Sequence, residues 1–275
     1  MHAFETPGAP HLRVRNAAGM VTVEAGEVDR TTVELEPLRD DDATRDAIER
    51  ATVEAYGNDV TVEVGEGKGF GFGAVSIAFG RTPQVGIRIR CPEGAELDCT
   101  TASANLKASG RLGDVQAKSA SGDVSVDGVA ALRVQSASGD VRAGAVDGEA
   151  RIQTVSGHVR LGPVAGPVSA TLVSGDIEVE EGTSDVAVKT VSGDQRIGAI
   201  RQGQIKLQSV SGDVRLGVRP GTRLHVDANS TSGDINSEFD VMDRPSEQRS
   251  GLEARLQLKT VSGDIEIVRA APVSA

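Results

Sequence analysis

At 275 residues the chain is long enough for one large domain or two ordinary ones, yet it carries only five Phe, one Tyr and no Trp. A rounded core of that size draws much of its buried area from aromatics, so this composition points to a narrow, regular interior of Val, Ile, Leu and Ala. The net charge of −11 argues against a nucleic-acid binder or an anionic-membrane binder, both of which need basic patches.

Met1–Pro7 has neither a basic stretch nor an apolar one, and no run approaches the ~18 apolar residues of a membrane span. A cytoplasmic protein without membrane insertion is the expectation. Leu12, Val14, Gly19, Val21 and Val23 stand at the offsets of a repeating coil that becomes regular later, and Thr32–Leu35 reads as the next strand. Asp40–Ala51 is charged and fits a short helix inserted between coils. Val53–Tyr56 and Val60–Val64, joined by Gly57-Asn58-Asp59, read as a hairpin or as two coil edges. Gly65–Gly73 is glycine-rich but lacks the Lys-Ser/Thr and the following helix of a phosphate-cradling loop, so it is read as a loop or cap. Val85–Arg90 is a strand, and Pro92 opens the regular part. Cys91 and Cys99 are too few for a zinc site and are read as small inward residues.

From about Leu97 the chain repeats. Ser-Gly-Asp turns are centred on Gly122, Gly139, Gly175, Gly193, Gly212, Gly233 and Gly263; Ser156-Gly157-His158 is a variant and Ser103-Ala104-Asn105 a degenerate copy. The dominant step is about 18 residues. Seven and five positions before each centre lie apolar residues, such as Leu132 and Val134 or Val186 and Val188, with polar residues between them. Two and four positions after it come Val159 and Leu161, or Ile265 and Ile267. Each coil is therefore strand, turn, strand and loop. Three before the centre a hydroxyl recurs, at Thr101, Ser119, Ser136, Thr154, Thr190, Ser209, Ser230 and Thr260. The expected fold is all-β: a single-stranded parallel β-helix, right-handed, whose stacked coils bury what no single coil could. Residues 1–91 are read as irregular coils and cap, 92–268 as the regular stack continuous with them, and 269–275 as a disordered tail. Glu238–Gly251 is read as a polar excursion before a last coil, Leu256–Val268.

Val85–Pro92, then Glu96-Leu97-Asp98, then repeated Thr-Val-Ser-Gly-Asp, resembles the bacterial putative adhesin family of unknown function that carries β-strand repeats. That resemblance covers about residues 10–268 and implies a β-helical fold; it brings no catalytic residues.

Three functions follow from the residues. The first is a non-catalytic scaffold that binds a protein partner through outward side chains such as Arg133, Gln135, Arg151, Gln153, Lys189, Lys206 and Gln208, with end-to-end self-association also open to such a stack. The second is a calcium-binding column formed by Asp123, Asp140, Asp176, Asp194, Asp213 and Asp234, against which stands a turn-capping role for the same aspartates. The third is a polysaccharide-active enzyme, which would need paired carboxylates and aromatic platforms. Phe4, Tyr56, Phe70, Phe72, Phe79 and Phe239 all lie outside the regular stack, and His2, His11, His158 and His225 are scattered. The scaffold reading, with no cofactor and no metal, is preferred.

Overall fold

A computed structural model of the chain describes residues 1–65, 82–239 and 252–270. The glycine-rich segment beyond Gly65, Phe70, Phe72, Phe79, most of the excursion before the last coil and the tail from 271 lie outside them. The chain divides into two compact units, Met1–Ala130 and Ala131–Ala275.

Unit 1 contains β1 (His2–Glu5), β2 (His11–Gly26), β3 (Arg30–Pro37), α1 (Asp42–Glu49), β4 (Thr52–Tyr56), β5 (Asp59–Val64), β6 (Val85–Pro92) and β7 (Glu96–Ser119); β8 (Val124–Ser138) crosses the boundary in the chain. Helix α1 begins at Asp41, whose carboxylate accepts from Thr44 N and so caps an otherwise orphaned amide. The first coil is β2, and it lies between two others. Its halves pair in parallel with β7 on one side and with β5 and β6 on the other. The outermost coil, β5 plus β6, is closed by antiparallel strands: β4 on β5 as a hairpin, and β3 on β6, with β1 beyond β3. The segment Thr32–Leu35 is thus a strand, as expected, but a covering strand and not a coil. Alternation of apolar and polar residues is the same in both settings, so the residues alone do not distinguish them.

Unit 2 continues the repeat with β9 (Val141–Ala143), β10 (Ala150–Ser156), β11 (Val159–Val164), β12 (Val168–Ser174), β13 (Ile177–Gly182), β14 (Val186–Ser192), β15 (Gln195–Ile200), β16 (Gly203–Gln208), β17 (Val214–Val218), β18 (Arg223–Ser232), β19 (Ile235–Ser237), β20 (Glu253–Ser262) and β21 (Ile265–Arg269). The strands before the turns stack in parallel and in register, Leu132 beside Ala150, Val168, Val186 and Ile205 in turn. Those after the turns do the same. The interior is aliphatic, with Val134, Ile152, Val179, Val188 and Leu207 fully buried. This is the parallel β-solenoid that the repeat predicts.

One expectation fails. The coil Leu256–Val268 is last in the chain but not last in the stack. β16 pairs with β20, and β20 with β18; β17 pairs with β21, and β21 with β19. The coil made of β18 and β19 is outermost. Its inward positions are poor in large aliphatics, and Val226 and Ile235 stay 49% and 46% exposed. Leu256, Leu258, Ile265 and Ile267 are the better filling for an interior layer, and they are buried.

Candidate functional site: ladders and a strand face

The turn glycines serve two purposes. Gly139, Gly157, Gly175, Gly193, Gly212, Gly233 and Gly263 all have positive φ, Gly193 at +132°. A Cβ on Gly193 would also fall on the carbonyl of Gly175 in the neighbouring coil. Gly122 departs from the expected corner: its φ is not in the left-handed region, and glycine is required there because a Cβ would strike the Ala104 carbonyl.

Beside these turns the aspartates form a ladder. Within unit 2, Asp140 Oδ1 accepts from His158 N at 3.0 Å, His158 Nδ1 accepts from Asp176 N at 3.4 Å, and Asp176 Oδ1 accepts from Asp194 N at 2.9 Å. Asp194 then receives Asp213 N, Asp213 receives Asp264 N and Asp264 receives Asp234 N, at 2.8–2.9 Å. In unit 1, Asn105 Oδ1 accepts from Asp123 N. Each side chain caps the amide of the coil above it. Asn105 and His158 do so as well as Asp, because an acceptor is needed and a charge is not. The amide of His158, opposed by slight burial and helped by Arg142, holds the Asp140 carboxyl below the usual carboxylate range. Among the described residues, no cluster of three His, Cys, Asp or Glu side chains is placed to hold a metal. Asp264, left out of the aspartate column read from the sequence, is a full rung of it.

The hydroxyl column is buried at Thr101, Ser119, Ser136, Thr154, Thr190, Ser209 and Thr260, while Ser230, in the outermost coil, is half-buried. Thr190 Oγ1 donates to Ser209 Oγ at 3.1 Å and Thr101 Oγ1 to Ser119 Oγ at 3.2 Å. Gln195, wholly buried at a position that is aliphatic in other coils, donates to Thr190 Oγ1 and to the Gln208 carbonyl. Cys91 and Cys99 are buried free thiols pushed up to about 12 by desolvation, a state without nucleophilic use. The histidines stay apart: His11 meets Asp59, His158 meets Asp176 and His225 meets Glu253.

Among the described residues of unit 2 are three shallow clefts to consider. The largest of these three, about 490 Å³, is lined by residues including Lys206, His225, Asp227 and Arg255. The other two hold carboxylates that are already committed, Asp176, Asp194, Asp213 and Asp264 to the ladder and Glu178 and Glu266 to Arg160 and Arg215. No aromatic residue lines any of the three.

What remains is the outer face of the strands that precede the turns. At the outward positions six, four and two before the turn centres, the coils of β8, β10, β12, β14, β16 and β20 carry Arg133, Gln135 and Ala137; Arg151, Gln153 and Val155; Ser169, Thr171 and Val173; Ala187, Lys189 and Val191; Lys206, Gln208 and Val210; and Gln257, Lys259 and Val261. None of these is a carboxylate, in a chain of net charge −11; Glu253, earlier on the same face of β20, is paired with Arg255. Arg133 and Arg151 lean on Glu149 at the margin, whereas Lys189, Lys206 and Lys259, three of the chain's six lysines, enter no ion pair among the described residues. Along one border runs a ridge of five valines, each 47–51% exposed, at the inter-strand spacing of about 4.8 Å. The valine ridge and Lys259 were missed by the sequence reading, although Val two places before five of the turns falls on the outward parity and so signals an outward residue.

The match to a family model spans residues 10–268. No curated protein matches the chain. Among solved structures, a putative lipid binding protein from Parabacteroides distasonis is 15% identical, with 98% of this chain and 96% of that one covered and a TM-score of 0.45. A putative adhesin from Bacteroides fragilis is 12% identical, with 97% and 95% covered and a TM-score of 0.35. A putative cell adhesion protein from Clostridium sporogenes is also 12% identical, with 98% of each chain covered and a TM-score of 0.25. No helix among the described residues is long and apolar enough to cross a membrane. The parallel coils, their Ser-Gly-Asp ladder and the family match agree: the chain belongs to the Toastrack DUF4097 family, whose function is unknown.

Proposed function

We propose that the protein is a non-catalytic scaffold whose unit 2 binds an acidic protein surface through the strand face bearing Lys189, Lys206 and Lys259. One observation carries this reading: the three outward positions before these turns hold no carboxylate in a strongly acidic chain, and a half-exposed apolar ridge borders them. The in-register backbone holds these side chains in fixed rows, so little backbone order is lost on docking, and the cations supply steering and register. The ridge supplies apolar area. A catalytic role finds no support in the two smaller clefts, whose acids are all capping or paired, and none of the clefts described offers a sugar-stacking ring.

The test is site-specific photo-crosslinking in the native host with a photoreactive residue at position 191. Adducts are expected with a partner of acidic surface, and combining Lys189→Glu, Lys206→Glu and Lys259→Glu should remove them while leaving the fold intact. Adducts that survive this charge reversal contradict the proposal.

A further inference from the structure

The outermost coil of unit 2 leaves a strand edge open. β18 pairs on one side with β20, and among the described residues nothing pairs with its other side. Arg223 N donates to Leu252 O at 2.8 Å, so Arg223, His225, Asp227 and Asn229 direct their backbone groups towards β20. The alternate residues Leu224, Val226, Ala228 and Ser230 therefore present N–H and C=O groups to the open side. These are also the residues whose side chains point inward, and Val226 is 49% exposed because no further coil covers it.

Natural sheets blunt such edges with lysine, proline, bulges or very short strands. β18 has ten residues, no Lys and no Pro. Unit 1 meets the same problem differently. Its outermost coil is closed by antiparallel strands of its own chain, and the edges then left are β1 and β4, of four and five residues. Unit 1 thus provides no long parallel edge for a head-to-tail stack.

We propose that two copies of this chain join through β18, paired antiparallel about a two-fold axis. Self-pairing has few registers in which the open amides face one another. Placing Asp227 against Asp227 of the partner copy opposes like charges. Placing Val226 against the same residue of the partner copy avoids this. His225 then lies opposite Asp227 of the partner copy, twice by symmetry, and Arg223 lies opposite Asn229 of the partner copy. Inside the wall, Leu224 faces Ala228 of the partner copy, which continues the apolar interior across the junction. His225 already has Glu253 at 3.5 Å within its own chain, so the new contact adds a second carboxylate to the same imidazole. Among the described residues each copy has one such long edge, so the symmetry closes and assembly stops at two.

Sedimentation velocity on the full chain tests this, together with two variants. The parent should show a concentration-dependent monomer–dimer equilibrium with nothing larger. Val226→Pro removes an amide that faces only the open side, a position where an edge strand tolerates proline. It should be monomeric throughout, with the melting temperature of the parent at dilutions where the parent is itself monomeric. If that variant does not fold, Val226→Lys keeps the backbone and should be monomeric for reasons of charge. Val226→Cys should oxidise to a disulfide-linked dimer, and Thr231→Cys should not. A parent that is monomeric at every concentration overturns the proposal, as does a dimer that persists in Val226→Pro or Val226→Lys, or one that Val226→Cys fails to link.

Discussion

The amide of Asp264 donates to Asp213 Oδ1 at 2.8 Å, although 51 residues separate them in the chain. The turn that follows Asp213 in sequence, at Asp234, is one rung further on and caps against Asp264 instead. The ladder therefore records the true order of the coils. It also explains why the strand face is uninterrupted. With coils in chain order, Asp227 and Asn229 would lie between Lys206 and Lys259; with the observed order they lie at the end.

Gly193→Val should destabilise unit 2 by about 3 kcal/mol or more, combining a φ of +132° with a collision at the Gly175 carbonyl. Chemical denaturation gives the number. A variant within 1 kcal/mol of the parent would mean that the corner can relax, contrary to the close approach of the two turns.

If the aspartates act only as acceptors, Asp194→Asn should cost less than about 0.5 kcal/mol and Asp194→Ala about 1 kcal/mol, the net value of one hydrogen bond. Calcium should leave the melting temperature unchanged, since Asp140, Asp176, Asp194, Asp213 and Asp264 already accept a backbone amide and no described cluster approaches the six to eight oxygens that calcium takes. A calcium-dependent rise that is lost when Asp194→Asn and Asp213→Asn are combined would show the opposite.

Acid should weaken unit 2 through Glu181. Its carboxylate accepts from Arg219 at 2.8 Å and Arg201 at 3.1 Å, with side chains 17% and 15% exposed at the Glu181–Arg219 pair. The Arg219 hydrogen bond, partly opposed by burial and aided by Arg201, holds the group below the usual carboxylate range. A depressed folded value means stability that is present above the unfolded value, about 4.3, and is lost as the pH falls through the folded one. Glu181→Gln should therefore cost about 2 kcal/mol at neutral pH, and the gap from the parent should close in acid. A gap independent of pH would mean that the pair contributes by packing alone.

Much of this architecture is legible in the residues, because a coil imposes its own offsets. Val186, Val188, Thr190 and Gly193 announce two inward aliphatics, a buried hydroxyl and a corner, and all four are found so. What the offsets do not encode is which coil lies beside which. Coils that stack in register are interchangeable by pattern, so β18 with β19 and β20 with β21 fit equally well in either order. A weaker signal was available. Val226, Ala228, Ile235 and Ser237 make a thinner interior than Leu256, Leu258, Ile265 and Ile267, and an end coil is where a thin interior costs least. The antiparallel closure by β3 escaped for a related reason, since alternation carries no direction.

Both the ladder and the strand face depend on the coil of β20 and β21 lying inside the stack, and a pair of engineered cysteines tests that most directly. Gln208 and Lys259 are partners in register across β16 and β20. Their Cα atoms are therefore about 4.8 Å apart, within reach of a disulfide. The double variant Gln208→Cys with Lys259→Cys should oxidise to an intramolecular disulfide. Gln208→Cys with Asn229→Cys should stay reduced, because β20 separates the two strands. A disulfide in the second variant but not in the first would put the coils in chain order and contradict the account.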